Sequence, residues 1–188
     1  MIRVALLMII MTMGWLNLAL AETIEVDAQR EAGGQAVEVR VHMSLPFNYT
    51  EVWDVLNDYE HMPQFVQDIQ ETTLLEAEPK LKRVRIKGNP ALLIMHFPIE
   101  MVMDVKYLSA THVRLESHSG NFGVKGDVYL YPDNIGTHVI YIAQLRPSFW
   151  LPPLIGSYII RRQIHEQFKG QVAEMHRRYD SRKAKDPV

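Results

Sequence analysis

From Gln35 to Met43, apolar and polar positions alternate. Val37, Val39, Val41 and Met43 fall on one face, and Glu38, Arg40 and His42 on the other. A period of two predicts a half-buried strand. Pro46-Phe47-Asn48 breaks it. Asn48 or Thr50 is placed to cap a helix, Glu51 sits in its first turn, and Val52, Trp53, Val55 and Leu56 recur at helical spacing. That helix is expected to end at Asp58-Tyr59. A second short helix is expected from Glu60 to Val66, with Met62 and Phe65 inward and Pro63 in its first turn.

From Asp68 to Leu145 the pattern is strand after strand. Ile69 to Glu78 and Leu81 to Gly88 come first. In the second of these, Val84 and Ile86 oppose Arg83, Arg85 and Lys87. Ala91 to Tyr107 is a long apolar strand, or two strands bent near Pro98. His112 to His118 alternates again, and Ser119-Gly120-Asn121 is a turn signal. Asn121 to Tyr131 carries Gly123 and Gly126, residues that mark bulges or close backbone approach. Pro132 to Gly136 is a turn, and Thr137 to Leu145 is the last strand. After a loop ending in Pro152-Pro153, a long helix is predicted from about Leu154 to Arg178. Its stripe is Ile160, Ile164, Phe168, Val172, Met175 and Tyr179. Residues 22–34 read as a mobile lead-in or a weak edge strand, and 181–188 as a charged, frayed tail.

The order is one strand, two short helices, about six further strands and a long C-terminal helix. This predicts an α+β domain over residues 35–180, with an antiparallel sheet of about six or seven strands. The long helix needs a partner for its stripe, and the sheet is the only large one. A sheet that curls round one helix leaves a space between them, and such spaces bind apolar ligands.

Ser44-Leu45-Pro46, followed by the run from Val52-Trp53-Asp54 through Asn57-Asp58-Tyr59 to Met62-Pro63, resembles the START-like, birch-pollen-allergen-like (SRPBCC) superfamily. The likeness is strongest to its polyketide-cyclase and coenzyme Q-binding branch. Gly126 within a strand, the Pro132 to Gly136 turn and Pro152-Pro153 before the final helix extend it over about residues 35–180. The resemblance implies a helix-grip fold, a curved sheet wrapped round the C-terminal helix over an apolar cavity. Members bind lipids, sterols, quinones, polyketides or plant hormones, and some are enzymes. The superfamily has no shared catalytic motif, so no catalytic residue carries over, and fold alone does not settle function.

Composition narrows the classes. The chain has 188 residues, a formal net charge of -2 and no Cys. There is no global basic footprint for nucleic acid. Disulfides, thiolate metal sites and a cysteine nucleophile are excluded. Residues 1–21 have the parts of an export signal. Arg3 supplies a positive start, Val4 to Leu18 is apolar apart from Thr12, Gly14 and Asn17, and Ala19-Leu20-Ala21 is a small-x-small cleavage site. The alternative is an uncleaved anchor, for which an apolar run of about 15 residues falls short of the roughly 20 that span a bilayer. Export to a periplasm is the expectation.

The eight His form no metal motif. His112 and His118 stand roughly 20 Å apart along one strand face, too far for one ion, and His165-Glu166 lies on the polar side of the helix. Neither a metal nor a cofactor is expected. Ser119 and Ser157 lack a nucleophile-elbow pattern. Asp58 with His61 is either an acid/base pair or a helix-end cap. His96, Arg85 and Glu116 either orient a ligand or face water. The candidate cavity lining is Trp53, Met62, Phe65, Met95, His96, Met101, Phe122, Tyr129, Tyr141, Tyr158, Ile164 and Phe168, rich in aromatic rings and adaptable Met. Phe149, Trp150 and Leu151, with Arg161 and Arg162, form a candidate gate or transient membrane contact, or else a loop packed across the end of the barrel. The leading expectation is a binding protein for a lipid-like or aromatic apolar molecule. The alternatives are a cyclase- or hydrolase-type enzyme and a structural or partner-binding domain with a filled core.

Overall fold

The computed structural model describes residues 22–32, 34–92, 95–152 and 154–185, with backbone alone at 92 and 95. The expected signal peptide, residues 1–21, lies outside them. Strand β1 (Thr23–Arg30) is followed by β2 (Val37–Leu45), helix α1 (Tyr49–Leu56), a 3-10 turn (Met62–Gln64), β3 (Ile69–Glu78) and β4 (Leu81–Gly88). Next come the short strands β5 (Ala91–Leu92) and β6 (Met95–His96). Four long strands, β7 (Ile99–Ser109), β8 (His112–Gly120), β9 (Phe122–Pro132) and β10 (Thr137–Pro147), precede helix α2 (Gly156–Lys185).

Eight strands form one antiparallel sheet in the order β1-β2-β10-β9-β8-β7-β4-β3, and β5 and β6 pair separately. The fold is the helix grip. Its sheet has one strand more than the upper expectation, because the segment read as either a lead-in or a weak edge strand forms the edge strand β1. β1 pairs with β2 along its whole length, from Thr23 opposite Ser44 to Arg30 opposite Val37. Ile24, Val26 and Ala28 alternate onto the core side and pack against it. Arg30 also donates from Nη1 to the Leu151 carbonyl at 3.0 Å, which ties this edge to the segment before α2.

Val37, Val39, Val41 and Leu45 are buried, and Val139, Tyr141, Ala143 and Leu145 of neighbouring β10 meet them on the same face. α1 starts where a capping box forms. The Asn48 side chain accepts from the Glu51 N–H, and the Glu51 carboxylate accepts from the Asn48 N–H, both at 3.0 Å. The expected second helix contracts to one 3-10 turn. Pro63 removes a backbone donor there, and the His61 N–H turns to Asp58 Oδ1 at 3.3 Å.

α2 buries Ile160, Ile164, Phe168, Val172 and Met175, and Tyr179 packs on Phe47 at 5.8 Å. The helix continues to Lys185, past the expected end near Arg178 and into the tail expected to fray from 181. No Gly or Pro interrupts it there. Arg182 reaches Asp54 of α1 at 3.2 Å, and Lys183 sits 4.7 Å from the Tyr179 ring centre. α2 lies directly on β1, β2 and α1.

Gly170 permits the closest approach. A Cβ at this position would meet the Phe65 carbonyl oxygen at 2.1 Å. Alanine favours a helix interior over glycine by about 1 kcal/mol. That gain is smaller than the cost of pushing α2 off a fixed backbone atom. Gly170→Ala is therefore expected to lower the stability measured by denaturant unfolding by about 1–3 kcal/mol, although helix propensity alone predicts the opposite sign.

Candidate functional site

A cavity of about 170 Å³ separates α2 from the strands that curl away from it. The sheet supplies Ile86 from β4, Ile99, Met101 and Met103 from β7, and Leu115 from β8. Phe122, Val124 and Val128 come from β9, and Tyr141 and Leu145 from β10. Leu56, Tyr59, Met62 and Val66 close one side. α2 supplies Ile160, Gln163, Ile164, Gln167, Phe168 and Gln171, and Asp68, Ile69, Pro90 and Phe149 complete the wall. The alternation of each strand delivers every second side chain to this space.

Six of the candidate lining residues meet here: Met62, Met101, Phe122, Tyr141, Ile164 and Phe168. Phe168 packs on Tyr141 at 5.6 Å. Five others do not reach the cavity, and the expectation is corrected for each. Trp53 lies between Tyr49 and Tyr107, with ring centres at 5.5 and 5.6 Å. Phe65 faces Arg178, whose guanidinium lies 5.9 Å from its ring centre. Tyr129 follows inward-facing Val128 and so points outward, stacked on His112 at 4.3 Å. His96 is exposed, with Nδ1 3.3 Å from the Asn89 carbonyl oxygen. Tyr158 stands two residues before inward-facing Ile160, on the opposite side of α2, and is 56% exposed. The Met95 side chain lies outside the described residues.

The gate candidates divide as well. Phe149 lines the cavity and stacks on Phe97 at 5.0 Å and Phe122 at 6.4 Å. Leu151 is fully buried, held by the Arg30 contact to its carbonyl, so it is not a surface contact. Trp150 is 66% exposed and Leu154 95%, with Ile155, Tyr158, Arg161 and Arg162 open beside them. No helix among the described residues is long and apolar enough to cross a membrane.

The sequence reading missed the polar part of the lining. Gln163, Gln167 and Gln171 recur every four residues on α2, in step with Ile160, Ile164 and Phe168. That spacing was the available signal, and it was masked by the charged residues around it. Gln163 donates to the Asp68 carboxylate. Gln171 is buried and its Oε1 has no hydrogen-bond partner. Burial pushes both the Tyr59 and the Tyr141 phenols far up, so they stay protonated.

Apart from Asp68, the charged groups lie elsewhere. On the outer face of the sheet, Asp104 accepts from Arg83 at 2.7 and 3.1 Å and pairs with His118 at 2.7 Å. Arg85 pairs with Glu100, Glu116 with Lys106, and His112 with Asp127. Neither Arg85 nor Glu116 faces the cavity. Among the described residues, no three His, Asp or Glu side chains converge on a metal site. Asp58 and His61 are 2.7 Å apart, but outside the cavity. Asp58 also takes Arg178, which in turn bonds Glu174. The pair belongs to a latch between α2 and the segment after α1.

This curved sheet, long helix and intervening cavity define a helix-grip domain. The chain belongs to the polyketide cyclase / dehydrase and lipid transport family, whose sequence profile matches residues 45–166. No curated protein sequence matches the chain. Among solved structures it is similar to a STAR-related lipid transfer protein fragment from Xanthomonas axonopodis, at 17% identity and TM-score 0.65 over 82% of this chain and 98% of that one. Human StAR-related lipid transfer protein 5 gives 11% identity and TM-score 0.66 over 85% and 88%. The Zhui aromatase/cyclase from a Streptomyces species gives 13% and 0.58 over 77% and 94%. At these identities the likeness is one of fold.

Burial pushes the Asp58 carboxyl up, but hydrogen bonds from Arg178 and His61 outweigh it and leave it below its ordinary value of 3.8. Glu174 is held below 4.5, first by Arg177 and then by Arg178. A lowered folded value adds stability that is complete above the unfolded value and is lost as pH falls through the folded one. Unfolding midpoints measured from about pH 7 down to about pH 2 are expected to fall below about pH 4. Arg178→Ala should flatten that fall and cost about 2 kcal/mol at neutral pH.

Proposed function

We propose that the domain holds an apolar or mixed apolar–polar small molecule in the space between α2 and the sheet. The observation that carries this reading is the cavity itself. An interior filled for stability alone has few voids larger than a water molecule, whereas this one has about 170 Å³ of space among apolar walls. An engineered apolar cavity of about 150 Å³ takes benzene. The cavity therefore suits a ring-sized ligand, or a ring-sized part of a larger one. Met62, Met101 and Met103 in its wall adapt their shape at low cost. The family description and the lipid-transfer neighbours support a ligand of this kind. A holder is favoured over a catalyst because Asp58, His61 and His96, the acid/base candidates, are not among the cavity-lining residues.

Two further elements belong to the proposal. Residues 1–21 direct the chain out of the cytoplasm, with a mature start at Glu22 and the periplasm as destination. Ligands enter and leave at a lipid surface, where Trp150, Leu154, Ile155 and Tyr158 insert and Arg161 and Arg162 meet phosphate.

Displacement of the neutral fluorophore N-phenyl-1-naphthylamine by a lipid and quinone panel tests the cavity. At least one member is expected to displace it, and Val124→Phe, which fills the wall, should weaken that binding by about tenfold or more. An empty panel, or full binding in the filled variant, contradicts the reading. Flotation with anionic vesicles tests the surface. Trp150→Ser combined with Leu154→Ser is expected to lose most of the bound fraction, and retained flotation removes that part of the proposal.

A further inference from the structure

Tyr59, in the segment after α1, and Tyr141, on β10, are 8% and 7% exposed, and both line the cavity. Neither hydroxyl has a hydrogen-bond partner among the described residues. Yet neither is sealed in by protein atoms, as the Tyr107 hydroxyl and Gln171 Oε1 are. A hydroxyl that is unpartnered but still open, on a buried ring, faces the space that the ring lines. Two such groups, from separate elements, carry a cost that phenylalanine would not. We infer that the ligand is a neutral molecule bearing a carbonyl group, and that the Tyr59 and Tyr141 hydroxyls donate to it. This rests on the apolar-ligand reading above and narrows it.

Burial keeps both phenols protonated, so each brings a proton that needs an acceptor. The Asp68 carboxylate, the strongest acceptor of the wall, already takes Gln163. A carbonyl oxygen supplies two lone pairs and no proton of its own. A ligand hydroxyl supplies lone pairs too, but adds a further proton to be placed. A pure hydrocarbon fits the walls and leaves both phenols unpaired. A carboxylate would accept from them, but no Arg, Lys or His is among the cavity-lining residues, and Asp68 repels it. Lys82 lies 6.0 Å from the Tyr59 ring centre, but it is not part of that wall, and its ammonium bonds the Asn57 carbonyl at 3.3 Å.

Isothermal titration calorimetry of the purified protein with four probes of similar size tests this. The probes are propiophenone, 1-phenylpropan-1-ol, propylbenzene and 4-ethylbenzoate at neutral pH. The ketone is expected to bind at least about tenfold tighter than the hydrocarbon, with the alcohol between them and the benzoate weakest. Tyr59→Phe and Tyr141→Phe keep the rings and remove only the hydroxyls. Together they should abolish the ketone's advantage and leave propylbenzene bound at least as tightly. Infrared spectroscopy of isotope-labelled propiophenone gives a second readout. Its carbonyl stretch should lie lower in the unmodified protein than in hexane, and return to the hexane position in the double variant. Tyrosines with a purely structural role would leave that stretch unmoved. If the double variant does not fold, the shift in the unmodified protein and in each single variant decides. Equal binding of ketone and hydrocarbon, tightest binding of the alcohol or the benzoate, or a ketone preference that survives in the double variant overturns the inference while leaving an apolar-ligand domain. Binding of none of the four overturns both.

Discussion

The packing of α2 against the sheet is the contact on which the rest depends. Ile160, Ile164, Phe168, Val172 and Met175 have no other apolar surface large enough to cover them. The helix meets the sheet closely along β1 and β2, and Gly170 brings it against the backbone at Phe65 on the other side. Asp58, Glu174 and Arg178 hold the same joint by charge. Eight twisted strands curve farther than one helix can fill. The remaining width is the cavity. Fold and cavity are thus one consequence: the contact that makes the domain stable also determines where it cannot close.

Polarity is divided by the sheet. The outer face carries paired charges, among them Arg83 and His118 on the buried Asp104 carboxylate. The inner face offers uncharged groups, the amides of α2 and the phenols of Tyr59 and Tyr141. Exposed pairs such as Arg85 with Glu100 and Lys106 with Glu116 add little stability singly. Their arrangement leaves Asp68 as the one charged side chain of the cavity wall. The aromatic stack of Phe97, Phe122 and Phe149 lies where the segment before α2 meets the wall. It joins the cavity to the segment that carries the exposed Trp150 and Leu154.

Much of the architecture was legible in local pattern. The alternation of Val37, Val39 and Val41, the Asn48 cap and the α2 stripe each follow from short-range rules, and the structure realises them. For residues 22–34 the sequence left a lead-in and a weak edge strand both open, although Ile24, Val26 and Ala28 alternate with Glu25, Asp27 and Gln29; an edge strand packed on one side leaves these residues only half-buried. The cavity wall was half legible. Aromatic and Met residues identify apolar surface, but Trp53, Phe65 and Tyr129 show that composition does not say which surface faces a space. Strand phase decides that for Tyr129, and helix phase for Tyr158. The Gln stripe was written at regular spacing, yet glutamine on a charged helix reads as solvated until the fold places Gln171 inside.

The central claim is that the space beneath α2 exists to be occupied. Native mass spectrometry of the protein purified from its own source, followed by organic extraction of the bound fraction, tests it most directly. The account predicts one largely apolar molecule per chain, released on unfolding. A chain that is ligand-free in every preparation, with a dry cavity unchanged on exposure to a total lipid extract, would contradict it.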